Sequence, residues 1–280
     1  MAIKCKHRWI VYVLLLSLCL PVIAGCARNT ALGGASATSS PAAGSSAGQT
    51  ELLVSAAASL KDVLNELVPK FHAAHPGIAV RLNLASSGSL QQQIEQGAPA
   101  DVFISAGAKQ MNALADKQLT NPDLTGTLLT NDLVLVVPAD SAAADVKAED
   151  LTGLGFAKIA VGQPESVPAG MYAQQFLQQA GLWDTLLPKI VFAKDVRQVL
   201  TYVASGNVEA GLVYGSDAAG EPKVKVAMKV DPSTHDPISY PAAVLAESAH
   251  PEQAKVFYDY LFTKEAGDVF LKYGFKLAGK

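Results

Sequence analysis

The sequence predicts an α/β protein of two lobes, each built on a doubly wound, mostly parallel sheet and hinged around a cleft. Three observations lead to this fold class. Apolar runs of strand length alternate with segments of helical spacing from Glu51 onward, the same alternation begins again at Leu133, and a late segment adds two amphipathic helices. Such alternation is typical of parallel sheets whose two faces are covered by helices.

The first block alternates strand and helix from residue 52 to residue 115. An apolar run over 52–54 predicts a strand, and apolar residues at helical spacing over 59–74 predict a helix. Pro76 and Gly77 turn the chain into a strand over 78–84. The remaining predicted elements of this block are a helix marked by Leu90 and Ile94 and ended by Gly97 and Pro99, a buried strand over 102–104, and a helix over 111–115.

The second block and the late segment repeat this pattern. Strands are predicted over 133–137, 158–161, 190–192, 211–213, 224–228 and 242–246, and helices over 172–180, 196–204 and twice within 251–273. We assign residues 51–131 and 236–280 to the first lobe and residues 132–235 to the second. The chain would therefore return to the first lobe late, which suits a hinged receptor with its ligand in the cleft.

The N-terminus has the pattern of a secretion signal. Lys4, Lys6 and Arg8 precede an apolar segment over 9–22 that is short for a membrane span. Shortly after this segment comes Ala24-Gly25-Cys26, which resembles a bacterial lipobox. We therefore predict a lipoprotein signal peptide over 1–25, a lipidated Cys26 and a flexible Ala/Gly/Ser-rich tether over 26–50. An ordinary signal peptide or a signal anchor with a chance cysteine is the alternative.

Charge and cysteine content exclude several classes of function. The formal net charge of the 280 residues is −3, so clustered basic surface for nucleic acid is not expected. The three cysteines are Cys5, Cys19 and Cys26, so residues after the tether hold no thiol for a disulfide, a metal or catalysis. His72, His75, His235 and His250 are scattered without the spacing of metal ligands.

Five stretches place a small or hydroxyl residue where a helix begins. A helix start carries unpaired N–H groups and the positive end of the helix dipole, so several starts that converge would hold an anion. Each stretch follows or nearly follows a predicted strand, and ligands of open parallel sheets bind beyond the carboxyl ends of strands. The stretches are AAASLKDVL, ASSGSLQQQI, VPAGMYAQQF, KDVRQVL and VYGSDAAG.

Long strings of this chain closely resemble the molybdate-binding proteins of ABC importers, the ModA family. The resemblance covers roughly residues 52–277 and rests on AAASLKDVL, ASSGSLQQQIEQGAPADVFISA, VGQPESVPAGMYA, DVRQVLTYVASGNVEAGLVYGSDA and FYDYLFTKEAGDVFLKYGF. It implies a type II periplasmic-binding-protein fold that delivers molybdate, and often tungstate, to a membrane permease and its ATPase. The chain departs from the family at Gly88, where a third serine is common, and at Lys194, where an acid is common.

The resemblance also implies the oxyanion shell, which by position is Ser59, Ser87, Ala169, Val196 and Tyr214. In the family these residues donate hydroxyl and backbone N–H groups, and the molybdenum is held through its oxo groups without a direct bond to protein. Without the resemblance, the pattern favours plain N-caps for the two serines, an early helix residue for Ala169, a core residue for Val196, and a half-buried aromatic at a strand end for Tyr214.

Donor chemistry narrows the ligand to a fully deprotonated tetrahedral dianion. The five residues include no cation and no carboxylate, so the proton of hydrogen phosphate would lack an acceptor, whereas molybdate, tungstate and sulfate carry none. Arg197 is expected to be a solvated helix residue, and Asp101 to tether a turn or face the other lobe. The alternatives are a receptor specific for tungstate or sulfate, an oxyanion-sensing domain, and an oxyanion-handling enzyme, for which we find no candidate base or nucleophile.

We therefore expect a monomeric, extracytoplasmic solute-binding protein without catalytic activity or cofactor. Its partners would be the oxyanion, an ABC permease with its ATPase, and the membrane through the lipid on Cys26.

Overall fold

Two separate sheets organise residues 48–279, which are the residues that the computed structural model describes. The predicted signal peptide, Cys26 and most of the predicted tether lie outside them. The strands are β1 (Thr50–Ala57), β2 (Ile78–Ala85), β3 (Val102–Ile104), β4 (Thr120–Thr130), β5 (Leu133–Pro138), β6 (Ile159–Gly162), β7 (Ile190–Ala193), β8 (Ala210–Tyr214), β9 (Val224–Lys229), β10 (Ser239–Leu245) and β11 (Lys276–Leu277). The α-helices are α1 (Lys61–Ala74), α2 (Ser87–Glu95), α3 (Ala108–Asp116), α4 (Pro168–Gln179), α5 (Trp183–Leu186), α6 (Val196–Ala204), α7 (Gly215–Ala219), α8 (Pro251–Leu261) and α9 (Lys264–Lys272).

The first sheet has the strand order β11-β4-β10-β3-β1-β2. Side chains of β3 alternate between its two faces: Val102 and Ile104 join the core beneath α1 and α8, whereas Phe103 joins a second core beneath α2 and α3. Phe71 of α1 and Phe257 of α8 pack edge to face, with ring centroids 5.0 Å apart. Buried apolar residues on both faces explain why this strand reads as an uninterrupted apolar run.

The second sheet has the strand order β7-β6-β8-β5-β9. Helices α4 and α6 pack against β6, β8 and β5. The chain passes from the first sheet to the second at Asn131 and Asp132, between β4 and β5, and returns over residues 230–238, between β9 and β10. The division of the chain into lobes at residues 131/132 and 235/236 stays a prediction.

The predicted α/β class with two sheets is confirmed, but the sheets are more mixed than the predicted mostly parallel pairing. Parallel pairs join β2 to β1, β1 to β3, β7 to β6 and β6 to β8, whereas β4, β10, β11, β5 and β9 pair antiparallel. The antiparallel strands β4, β5, β9 and β10 lie on either side of the two passages between the sheets. The chain reaches β5 and β10 directly from the other sheet, so no crossover helix precedes either strand. An apolar run reports burial and not direction, so the pattern could not distinguish the two kinds of pairing.

The long strand β4 was missing from the sequence prediction. Its first seven residues include Asn121, Pro122, Asp123 and Gly126, which are residues typical of turns. Its pairing with β10 shifts register twice, and one of these shifts falls over residues 121–124, where most of those residues lie. Within residues 48–279, no helix combines the length and the apolar character that crossing a membrane requires.

Candidate oxyanion-binding site

The predicted shell residues Ser59, Ser87, Ala169, Val196 and Tyr214 all line one small cavity between the two sheets. The centre of a water-sized sphere can reach about 10 Å³ of it, which is room for one small group. The cavity therefore suits a compact ion and not an extended ligand. The other lining residues are Ala57, Ala58, Ser86, Ala106, Val167, Pro168 and Asp195.

The cavity lies at the carboxyl ends of parallel strands from both sheets. The first sheet contributes the ends of β1 and β2, which are followed at once by a 3₁₀ turn over Ala58–Leu60 and by α2. The second sheet contributes the ends of β6, β7 and β8, which lead into α4, α6 and α7. Since parallel strands point the same way, their helix starts meet at one edge, and the two edges face each other across the cavity.

Ser87 is the first residue of α2 and presents its hydroxyl in a fixed orientation. Its Oγ accepts a hydrogen bond from the backbone N–H of Ala106 at 2.9 Å. The hydroxyl proton of Ser87 is thus free to be donated to an anion. Capping of α2 falls instead to Ser86, whose Oγ accepts the N–H of Ser89 at 3.3 Å.

Ser59 lies in the 3₁₀ turn that joins β1 to α1, and it is buried. Its Oγ is 3.0 Å from the phenol oxygen of Tyr240, which in turn lies 3.5 Å from the side-chain nitrogen of Asn131. Because Asn131 stands where the chain leaves the first sheet, this hydroxyl belongs to a network that reaches one of the two passages between the sheets.

Ala169 and Val196 reach the cavity from first turns of helices in the second lobe. The first turn of a helix leaves its N–H groups without partners inside the helix. Pro168 supplies no N–H, so Ala169 is the first donor of α4, and Val196 is the first residue of α6. Both side chains are buried in the apolar core, so the interpretation of Val196 as a core residue also describes where its side chain packs.

The start of α4 approaches β6 closely because Gly170 has no side chain. A Cβ at this position would lie 1.9 Å from the carbonyl oxygen of Gly162, the last residue of β6. The PAG sequence therefore allows α4 to begin directly against the strand end, which brings Ala169 to the cavity.

Tyr214 ends β8, and its phenol crosses from the second lobe to the first. The hydroxyl donates to the carbonyl oxygen of Ala106 at 3.3 Å. Burial raises the pKa of Tyr214 well above its ordinary value, so the phenol stays protonated and remains a donor. Since it has one proton, donation to an anion would replace its bond to Ala106.

Asp195 places a carboxylate in the cavity lining beside the five predicted shell residues, none of which carries one. It caps α6, and its Oδ1 accepts the N–H of Gln198 at 2.8 Å. An N-cap residue immediately precedes the first free backbone N–H of its helix. An anion bound by the backbone N–H of Val196 would therefore lie beside the carboxylate of Asp195. Among residues 48–279, the residues that line the cavity include no lysine or arginine.

Arg197 is partly buried and paired with acids, whereas the sequence predicts a solvated helix residue at this position. Its guanidinium lies 2.9 Å from Asp62 and 3.5 Å from Asp217, and its side chain is 27% exposed. Asp101 is a buried tether: it accepts the N–H of Leu53 at 2.8 Å and the hydroxyl of Ser248 at 2.6 Å. Within the described part of the chain, histidine, cysteine and acidic residues form no cluster that could hold a metal ion.

Comparisons with known proteins agree on one family. The sequence pattern of bacterial extracellular solute-binding proteins matches residues 52–276. YvgL of Bacillus subtilis, whose name describes a substrate-binding lipoprotein of an ABC transporter, is 42% identical over 255 residues, which cover 91% of this chain and 93% of YvgL. The molybdate-binding protein ModA of Escherichia coli is 40% identical over 235 residues, which cover 82% of this chain and 91% of ModA.

Solved structures give the same result. The periplasmic molybdate-binding protein of Azotobacter vinelandii has a TM-score of 0.74 at 27% identity, and the match covers 81% of this chain and 100% of that protein. This chain belongs to the bacterial extracellular solute-binding proteins and, within them, to the ModA family of molybdate-binding proteins.

Proposed function

We propose that this chain is the molybdate-binding component of an ABC importer, with Ser59, Ser87, Ala169, Val196 and Tyr214 as its oxyanion shell, and that it also takes tungstate. The observation that supports this most directly is the convergence of helix starts from both sheets on one cavity of ion size. Relatives at 40% and 36% identity are named molybdate-binding proteins. The chain would deliver its ion to a permease and ATPase, without chemistry of its own.

Neutral donors suit a dianion in this setting. The donors belong to residues that line a cavity with room for one small group, where a dipole acts at low dielectric. Helix starts add the positive ends of their dipoles. Charged side chains are then unnecessary, and the ion can be released again when the lobes separate.

The cavity has walls from both lobes, so binding would be coupled to closure of the cleft. Two hydrogen bonds already join the lobes beside it: the N–H of Gly88 donates to the carbonyl of Ser166 at 2.9 Å, and the phenol of Tyr214 donates to Ala106. An ion held by both walls stabilises the closed form by its difference in affinity between the closed and open forms. A permease that recognises the closed form would thereby recognise loaded protein.

The proposal predicts a selectivity among oxyanions that calorimetric titration measures directly. Hydrogen phosphate carries a proton that requires an acceptor, and none of the five shell residues offers one. Asp195 is the one acid in the described lining, and its Oδ1 already accepts the N–H of Gln198. We expect calorimetric titration to show tight binding of molybdate and tungstate and weak binding of sulfate and phosphate. Phosphate should stay weak in the wild type and in Asp195→Asn alike.

The same titration can also contradict the proposed function. Tight binding of sulfate or phosphate without any heat from molybdate would assign the chain to a different oxyanion. A Ser59→Ala, Ser87→Ala double variant that binds molybdate as tightly as the wild type would show that the ion is bound by other residues.

We also propose that the protein acts outside the cytoplasm as a monomer held to the membrane by a lipid on Cys26. The name of YvgL, which describes a lipoprotein, supports this. Expression of Cys26→Ser alongside the wild type tests it: the wild type should fractionate with membranes and the variant should not. Equal membrane association of both would contradict a lipid on Cys26.

A further inference from the structure

A charged bridge crosses the cleft beside the cavity but outside its lining. The guanidinium of Arg197, in the first turn of α6, lies 2.9 Å from a carboxylate oxygen of Asp62 in the first turn of α1. The same guanidinium lies 3.5 Å from Oδ1 of Asp217 in α7. Asp62 comes from the first lobe, whereas Arg197 and Asp217 come from the second.

The two carboxylates differ in their surroundings. Asp217 is 1% exposed, and its Oδ2 has no partner among the described residues. Asp62 is 41% exposed at its side chain. Because Asp217 and Arg197 lie in the same lobe, their contact does not depend on closure, whereas the contact with Asp62 does. Asp217 thus holds the guanidinium in place before Asp62 arrives, which reduces the entropy lost when the second contact forms.

The bridge is attached directly to the proposed shell. Asp62 follows Ser59 by three residues, and Arg197 follows Val196 by one. Helix α6 packs against the 3₁₀ turn that holds Ser59, so the bridge and the cavity are closed by the same movement. A change in the strength of the bridge therefore acts on the lifetime of the closed, loaded form.

We infer that Asp62, Arg197 and Asp217 form a strap that fastens the closed cleft, with Asp62 as the residue that engages only on closure. This inference rests on the proposed function of the cavity as an oxyanion site. The strap touches no ion, so its three members are positioning residues. Its effect falls on the rate of ion release, because a contact that exists only in the closed form must break before the lobes separate.

The size of the effect is limited by solvent. A partly exposed ion pair is screened by water and salt, so its loss should change release by a modest factor. We expect Asp62→Asn to release the ion about two- to fivefold faster than the wild type, with little change in the association rate. The difference should shrink as salt concentration rises, because salt weakens the wild-type pair and not the neutral variant.

Glu66→Gln provides the matched control. Glu66 lies on the same helix and pairs with Lys272 at 2.6 Å, but both residues belong to the first lobe, so their pair does not cross the cleft. Glu66→Gln removes one carboxylate charge from α1 as Asp62→Asn does. It should leave the release rate and its salt dependence unchanged, and Asp62→Glu, which restores the charge, should recover most of the wild-type rate.

The experiment measures ion release by rapid mixing with excess competing ion, in the full chain, across a range of salt. The ion is whichever oxyanion gives heat in the wild-type titration. If that ion is not molybdate, the proposed function fails while the strap can still be tested. Release rates of Asp62→Asn that equal those of the wild type, or that match those of Glu66→Gln, would overturn the strap.

Discussion

Ser87 illustrates how one residue of the site gains its role from its neighbours. Its hydroxyl oxygen accepts the N–H of Ala106, so the hydroxyl proton remains to be donated, and the residue lines the cavity. A serine that merely capped its helix would point its oxygen at the helix N–H groups instead. That capping task is performed by Ser86, which leaves Ser87 available for an ion.

We expect Ser87→Ala to weaken molybdate binding by about 10- to 150-fold, the range for one hydrogen bond to a charged group. Calorimetric titration measures this change. Ser89→Ala is the control, since Ser89 lies on the same turn, contacts Ser86 and does not line the cavity. Equal losses in the two variants would mean that the helix start and not the hydroxyl matters.

At the residue scale, the sequence identified hydroxyl positions better than backbone positions. Ser59 and Ser87 carry groups whose chemistry can be read from the side chain. Ala169 and Val196 have only backbone N–H groups to offer an ion, and nothing in an alanine or valine side chain indicates such a role, so the family resemblance alone predicts them. Asp195 was missed, although the N-cap rule, which favours Asp before a helix, was a usable signal.

At the scale of elements, the helix starts were predictable and the strand directions were not. Helix periodicity and small or hydroxyl residues at the starts correctly indicated α1, α2, α4 and α6. The sequence did not predict strand β4, because its turn-type residues outweigh its apolar end over residues 128–129. Pairing between distant strands is decided by how the chain passes between the sheets, and that information is not local to any strand.

Helix α6 depends on Asp195 for its start, which leads to a prediction with two variants. Asp195→Ala removes the cap and should lower stability by about 0.5–2 kcal/mol and weaken molybdate binding, because the N–H of Val196 loses its fixed position. Asp195→Asn keeps a capping oxygen and removes a negative charge next to the ion. It should keep the stability of the wild type and bind molybdate at least as tightly.

Thermal unfolding and calorimetric titration measure the two effects separately. Asp231→Ala is the control for stability, because Asp231 caps an exposed 3₁₀ turn over Pro232–Thr234 whose residues do not line the cavity. Weaker molybdate binding in Asp195→Asn than in the wild type would show that the negative charge itself is needed, contrary to a shell of neutral donors.

At the scale of the whole molecule, closure of the cleft depends on how closely two backbones approach. Gly88 donates its N–H to Ser166 across the cleft, and a Cβ on Gly88 would lie 2.5 Å from the carbonyl oxygen of Ser166. A side chain at this position would therefore prevent the two backbones from approaching this closely, so the lobes could not close in the same way. The sequence revealed Gly88 as a departure from the family pattern, but only the folded chain brings Ser166 next to it.

We expect Gly88→Ala to weaken molybdate binding by about 1–3 kcal/mol, the cost typical of inserting a methyl group into a packed contact. The stability of the ligand-free protein should change less, because the clash arises only on closure. Gly77→Ala is the control, since a Cβ there meets no atom within 4 Å. Identical titrations for Gly88→Ala and the wild type would show that the lobes close without this approach.

The buried carboxyl of Asp217 links the stability of the whole protein to pH. Burial raises the pKa of Asp217 from 3.8 to about 7, and the nearby guanidinium of Arg197 offsets this only in part. The negative charge of Asp62 also raises the pKa of Asp217, whereas a backbone hydrogen bond from Tyr214 lowers it. The folded protein therefore keeps a proton that the unfolded chain releases from about pH 4 upward.

The free energy of unfolding should consequently fall as pH rises from about 4 through about 7, since the folded state binds more protons than the unfolded state in this window. One carboxyl contributes a slope of at most about 1.4 kcal/mol per pH unit. We expect Asp217→Asn, whose amide does not titrate and still offers Arg197 an oxygen, to flatten this part of the profile. Urea unfolding at closely spaced pH values measures the slope, and a variant whose profile parallels that of the wild type would assign the pH dependence to other groups.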